Sequence, residues 1–187
     1  MKKTVSLFGV LAAVVLFSAF TFLTPPKGNK YVGTNSCKAC HNTAKTGKQY
    51  AHWQGTAHAN AFKTLQSAEA DKIAAGKGIK GKAVDAKECL SCHVTGMNES
   101  GAAFDKKFDN SEGVGCEACH GAGSGYKTKH NKPEKLKDAI AAGMQLPKVA
   151  DGSAEKHCKT CHNKQSPTFK GFDFAKMWDK VAHPLPK

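Results

Sequence analysis

The sequence predicts a mainly α-helical fold with long loops and little sheet, and two observations carry that prediction. The 187 residues include eight Cys, which fall into four regularly spaced pairs. Beyond a leading apolar segment the chain holds only six Phe, three Tyr and two Trp, few for the core of a domain of about 160 residues. The core must therefore draw apolar area from something other than large side chains.

The charge of the chain is strongly positive and comes from one residue type. The formal net charge is +13, and all 28 basic residues are Lys. A chain without Arg is a poor candidate for guanine-edge readout or for bidentate phosphate clamps. We therefore expect no nucleic acid as a partner.

Residues 1–26 predict an export leader. Lys2 and Lys3 precede an uncharged and largely apolar segment, residues 4–26. That segment is typical of a cleaved signal peptide, and at roughly 20 residues it is also long enough to remain as an N-terminal membrane anchor. Both alternatives place residues 27–187, the predicted single domain, outside the cytoplasm, because the positive end stays inside. The expected location is the periplasm.

The cysteines occur at i and i+3, and each pair is followed directly by His. The four motifs are Cys37 and Cys40 with His41, Cys89 and Cys92 with His93, Cys116 and Cys119 with His120, and Cys158 and Cys161 with His162. This C-x-x-C-H spacing is the attachment signature of c-type haem. Two thiols one helical turn apart add to the vinyl groups on one porphyrin edge, and the following imidazole binds the iron.

Other readings of the cysteines fit less well. A zinc site built from cysteines needs two pairs per metal and no regular trailing His, and disulfides need no His at all. Thioredoxin-like motifs do not occur four times in one small domain. We predict four covalently bound haem c groups, with the four motif histidines as proximal ligands. The architecture is then that of a multihaem cytochrome c, in which the haems form the core.

Five histidines remain for the sixth coordination positions: His52, His58, His130, His157 and His183. His58 lies in a predicted helix, residues 53–62, and His130 lies in a loop before the helix predicted at residues 133–143. His183 follows a predicted helix that Pro184 ends. Local context leaves His52 and His157 open between ligation and a surface role. The methionines that offer an alternative are Met97, Met144 and Met177.

Three connecting segments carry further predictions. The lysine-rich residues 68–87 are expected to form a solvated insertion rather than a site. The glycine-rich link between Cys92 and Cys116 is expected to hold the second and third haems close together. In the helix of residues 133–143, Leu136 and Ile140 are expected to face inward.

With these residues in place, the chain resembles the cytochrome c-554 family, tetrahaem proteins related in haem arrangement to hydroxylamine oxidoreductase. The stretches that carry the resemblance are Trp53 with Thr56-Ala57-His58, Glu88-Cys89-Leu90-Ser91-Cys92-His93-Val94-Thr95-Gly96, and Gly113-Val114-Gly115-Cys116-Glu117-Ala118-Cys119-His120-Gly121. The resemblance runs from Tyr31 to about Ser166 and is weak beyond it.

The resemblance implies crossed ligation. It implies His130 as the sixth ligand of the first haem, His58 of the third and His183 of the fourth. It also implies that the second haem, held by His93, is five-coordinate. This chain departs from the family pattern because it carries His52 and His157, either of which is a candidate for that open position.

The expected function is electron transfer between redox partners through closely packed haems, without a catalytic side-chain constellation. A lysine-rich surface suits brief docking on acidic redox proteins. Two alternatives stay open: a small haem enzyme acting on NO or nitrogen oxides at the His93 haem, and a subunit of an extracellular cytochrome filament. Otherwise the expected state is a monomer or a weak oligomer.

Overall fold

A computed structural model describes residues 28–183 of the chain and is mainly helical. The leader prediction for residues 1–26 and the helix-ending role of Pro184 fall outside that range. The α-helices are α1 Asn35–His41, α2 Gln49–Gln54, α3 Ala61–Thr64, α4 Ala68–Gly76, α5 Lys87–His93, α6 Cys116–His120, α7 Leu136–Ala141, α8 Ser153–Cys158 and α9 Phe174–Val181. Short 3-10 helices occupy Ala44–Thr46, His58–Asn60, Ala83–Asp85, Asn110–Glu112, Gly123–Gly125 and Pro133–Lys135. The predicted fold class is confirmed.

The sheet in the described range is a pair of two-residue strands. Strand β1, Lys30–Tyr31, pairs in parallel with β2, Ala103–Phe104, with Tyr31 opposite Phe104. The Tyr31 ring is 2% exposed and stacks on Phe104 at 5.5 Å between ring centroids. Gly96 passes so close to this ring that a Cβ there would lie 2.7 Å from a Tyr31 ring carbon. The turn after the second motif is therefore packed directly on the start of the described chain.

Glu117 joins the first and third motifs. Its carboxylate is buried and accepts hydrogen bonds from the backbone N–H groups of Val32, Gly33 and Gly123, at 2.6 to 3.0 Å. Burial raises the pKa of Glu117, and the three N–H donors oppose that rise. Glu112 acts beside it and accepts from the N–H of Thr34, at the start of α1. Two carboxylates thus fix the entry to the first motif against the third.

The helix predicted over residues 53–62 is interrupted. Helix α2 ends at Gln54, and His58 begins a separate 3-10 turn that leads into α3. The break has a tertiary cause, because Trp53 Nε1 donates to the Val114 carbonyl at 2.9 Å and the Val114 N–H donates to the His58 carbonyl at 3.0 Å. The segment before the third motif therefore holds His58 in place through backbone contacts that helix periodicity does not reveal.

The lysine-rich segment of residues 68–87 is mostly exposed, as expected, but it is an ordered unit. Helix α4 begins with Ser67, whose side chain accepts from the Ala70 N–H. Ala74 and Ala83 are buried together with Leu65 in a small apolar cluster. This unit packs on α5 and so supports the second motif.

The last part of the chain carries two of the predicted helices. Helix α7 follows the Pro133–Lys135 turn as expected, but Leu136 and Ile140 are 37% and 48% exposed, and Ala139 is the buried residue. The inward orientation predicted for Leu136 and Ile140 is therefore wrong for the polypeptide. Helix α9 runs over its predicted residues. No helix within residues 28–183 is long and apolar enough to cross a membrane.

Candidate haem-binding site

Three of the motifs lie wholly at the ends of helices. Helices α1, α5 and α6 each end on the motif histidine, so the two cysteines of each pair are one helical turn apart. In the fourth motif α8 ends at Cys158, and the next turn is kept by the His162 N–H, which donates to the Cys158 carbonyl at 3.0 Å. Each motif therefore presents two thiols and an imidazole within about one turn.

His41 of the first motif faces His130. Their Nε2 atoms are 3.3 Å apart, and the rings are nearly parallel, with an interplanar angle of 15°. His130 Nδ1 lies 3.1 Å from the Tyr126 carbonyl oxygen, and His41 Nδ1 lies 3.4 Å from the Gln49 side-chain oxygen. Because a carbonyl oxygen only accepts, each Nδ1 carries the proton and each Nε2 is left to bind a metal.

Two more motif histidines each have a distant histidine against them. The His58 and His162 ring centroids are 6.1 Å apart, and those of His120 and His183 are 5.9 Å apart. The resemblance implied the opposite assignment, with His58 on the third haem and His183 on the fourth, and that pairing is wrong in this structure. His58 reaches the fourth motif because Val114 and Gly113 hold its backbone, and the end of α9 brings His183 to the third motif.

His93 differs from the other three motif histidines. Its Nδ1 lies 2.7 Å from the Ala61 carbonyl oxygen, so its Nε2 is also the atom left for a metal. Among residues 28–183, however, no histidine ring lies against it. His52 and His157 make no described ring contact with His93, and their roles as its sixth ligands stay predictions. The Nε2 of His52 is buried and has no hydrogen-bond partner within the described part of the chain.

Burial favours the neutral form of three motif imidazoles and of His58. It lowers the pKa of His41, His58, His120 and His162 below the usual value for histidine. A neutral imidazole is the form that binds a metal. The Nδ1 hydrogen bonds of His41 and His120 oppose this fall in pKa, and burial outweighs them.

Thiols from different motifs lie side by side. The Cys37 thiol lies beside that of Cys116, and the Cys92 thiol lies beside that of Cys161. Burial, with smaller effects of Cys158 and other nearby thiols, raises the pKa of Cys119 to about 12. These contacts place the first motif beside the third, the second beside the fourth, and the third beside the fourth.

The residues present fit haem c. A porphyrin supplies four of the iron ligands, so each site needs two thiols for attachment and one or two imidazoles from the protein. Each motif offers this donor set. Paired imidazoles whose Nε2 atoms face each other, and a buried Nε2 on His52 without a partner, are polar groups that the polypeptide alone leaves unsatisfied.

Some functional residues were not found from the sequence. Gln49, Tyr126 and Ala61 orient imidazoles, two of them through backbone oxygens that carry no sequence signal. Glu117 stood in the quoted third motif without a role. The other motifs have Lys, Leu and Lys at this position, so its negative charge was a usable signal, but only once the fold was known.

Comparison with known proteins agrees with this site. The family model "Cytochrome c554 and c-prime" matches residues 36–121, which include the first three motifs. Cytochrome c-554 of Nitrosomonas europaea is 29% identical over 172 residues, covering 86% of this chain and 70% of that protein. No solved structure gives a significant match. The two matches confirm that the chain is similar to the cytochrome c-554 family, and its four C-x-x-C-H motifs carry the attachment signature of haem c.

Proposed function

We propose that the chain is a tetrahaem cytochrome c that carries electrons between redox partners in the periplasm. The observation that carries the proposal is that four C-x-x-C-H motifs are gathered in one domain, with a second histidine ring facing three of them. The predicted export leader supports the location, because a leader of this kind directs the chain out of the cytoplasm.

The chain's own residues set the iron environment. His41 with His130, His120 with His183, and His162 with His58 are the proposed axial pairs. Paired imidazoles hold an iron at a lower reduction potential than an imidazole with a methionine does. The bound haem c supplies the one-electron chemistry, and the protein fixes its spacing, ligation and surroundings.

The contacts between motifs support an order for the four haems. The second motif adjoins the fourth, the fourth adjoins the third, and the third adjoins the first. Because each haem is tied to its own cysteines, the proposed series runs through the haems of His93, His162, His120 and His41. Electrons pass along such a series without any catalytic side chain.

A second function is favoured by one observation, the absence of a histidine ring against His93 within the described residues. An iron held there by His93 alone has an open position for a small ligand such as NO or a product of nitrite reduction. In that case the protein would act as a small haem enzyme at the His93 haem, at one end of the series, as well as carrying electrons.

Two measurements test these proposals. Intact mass and the pyridine haemochrome spectrum of purified holoprotein should give four haems per chain, and any other number contradicts the tetrahaem proposal. Titration of the reduced protein with CO should then give one bound CO per four haems if the His93 iron is open. No bound CO leaves the carrier function and indicates that His52 or His157 closes the site.

A further inference from the structure

Exposed lysines flank both His41 and His130 in the sequence. We call this group the lysine face; its members flank His41 in sequence (Lys38, Lys45 and Lys48) and lie on both sides of His130 (Lys127, Lys129, Lys132, Lys135 and Lys137). The 3.3 Å approach of the two imidazoles brings these distant segments together. Lys129 and Lys135 also line one concave surface with Thr128 and Asp138.

Few carboxylates neutralise the lysine face. Residues 38–48 contain no acid, and residues 127–138 contain only Glu134 and Asp138, so eight lysines face two carboxylates. Residues 68–88, by contrast, carry five lysines against four acids. The two ion pairs in the described range, Lys159 with Glu155 and Lys176 with Asp173, lie elsewhere. The lysine face is therefore one of the strongly positive parts of the described surface.

The lysine face lies at one end of the proposed haem series. His41 belongs to the terminal haem, whereas the unpaired His93 belongs to the opposite end. A patch of one charge sign steers an oppositely charged protein toward it and raises the association rate. Lys also suits transient contact, because its ammonium stays hydrated and is not locked in a bidentate pair.

We propose that an acidic electron-transfer protein docks on the lysine face and exchanges electrons with the haem held by His41 and His130. This inference rests on the proposed function and adds the place of docking to it. In each encounter one electron leaves the partner's redox centre, which is oxidised, and enters that haem, which is reduced. No covalent bond forms or breaks. Repeated short encounters need electrostatic attraction more than tight packing, and the exposed lysines supply it.

The test compares two variants of equal charge in the holoprotein. The first replaces Lys127, Lys129, Lys132 and Lys135 by Glu; the control replaces four exposed lysines of the α4 segment by Glu (Lys72, Lys77, Lys80 and Lys82). Stopped-flow spectroscopy measures the second-order rate at which a reduced acidic [2Fe–2S] ferredoxin reduces each protein at low salt. We expect the first variant to react about tenfold more slowly than wild type, and the control to change by less than about threefold. At about 1 M salt, where the screening length is about 3 Å, the difference should vanish.

An equal loss of rate in both variants would show that net charge alone steers the partner, and would overturn the proposal. An unchanged rate in the first variant would overturn it as well. If four glutamates disturb the fold, a double variant with Lys129→Gln and Lys135→Gln makes the same comparison with a smaller change of charge. Its control is the double variant with Lys77→Gln and Lys80→Gln. Failure of the proposed function has a separate signature, because wild-type protein would then not take up four electrons from dithionite.

Discussion

His41 and His130, 89 residues apart in the chain, point their Nε2 atoms at each other across 3.3 Å. Each ring donates a hydrogen bond from its Nδ1, His41 to the Gln49 side-chain oxygen and His130 to the Tyr126 carbonyl oxygen. Two neutral imidazoles arranged in this way leave two lone pairs directed at one point. His41 and His130 would hold a haem iron through these two atoms, and two unsatisfied lone pairs are costly without such a partner.

Removal of His130 should open one haem. We expect His130→Ala to convert one of the four haems from low-spin to high-spin, visible in the optical spectrum and by electron paramagnetic resonance. His130→Met should instead keep six ligands and raise the potential of that haem. Thr128→Ala is the control and should leave the spin state unchanged, since Thr128 is exposed and is no candidate ligand. A His130→Ala protein with four low-spin haems would refute the pairing.

The motifs could be predicted from the sequence because their chemistry is local. Two thiols and an imidazole within five residues need only one helical turn. The structure has such a turn at each of the four motifs that the spacing identified. The partners of His120 and His162 could not be predicted, because they depend on the path of the chain between motifs. His58 and His183 were both recognised as ligand candidates, yet their assignment to particular haems was exchanged.

The broken helix at Gly55 has the same explanation. Periodicity favours a continuous helix through His58, but the hydrogen bonds of Trp53 and His58 to Val114 are long-range. Likewise, Leu136 and Ile140 have the spacing of a buried face while the polypeptide leaves them exposed. The spacing of apolar residues predicts which residues share a helix face, but it does not determine whether another part of the protein buries that face.

Gly96 should tolerate no side chain. Gly96 and Gly101 both have φ +76, a conformation that costs a non-glycine residue about 1–2 kcal/mol. A Cβ at Gly96 also meets the Tyr31 ring at 2.7 Å, whereas one at Gly101 meets nothing within 4 Å. We therefore expect Gly96→Ala to lower the free energy of unfolding by about 1–3 kcal/mol more than Gly101→Ala does. Denaturant unfolding of the holoproteins, followed by far-ultraviolet circular dichroism, measures the difference, and equal losses would contradict the packing described here.

Glu117→Gln should destabilise the junction of the first and third motifs. Both carboxylate oxygens accept backbone N–H groups, and an amide has only one oxygen to offer. Its NH₂ group would face a backbone donor, and one buried N–H would stay unpaired at a cost of about 1–3 kcal/mol. The control is Glu69→Gln, an exposed acid in the first turn of α4, for which the expected change is small. Thermal unfolding of the two holoproteins measures the melting temperature of each. An equal fall in the two variants would show that the Glu117 hydrogen bonds add no particular stability.

His58→Ala and His183→Ala should each create one high-spin haem, and the structure predicts that their effects are independent. His58 faces the fourth motif and His183 the third, so the double variant should contain two high-spin haems. Spin quantification of the oxidised proteins provides the count. A double variant with a single high-spin haem would mean that both histidines serve the same iron.

The thin core has a consequence for how the molecule is made. Tyr31 is the largest fully buried side chain among the described residues, and many of the other buried side chains are alanines. The polypeptide alone buries too little apolar surface to offset the entropy of ordering it. Attachment of the cofactors must then come before the chain closes. Folding in this way serves as a quality check, since a chain that has missed a haem stays open to proteolysis and only fully loaded molecules persist.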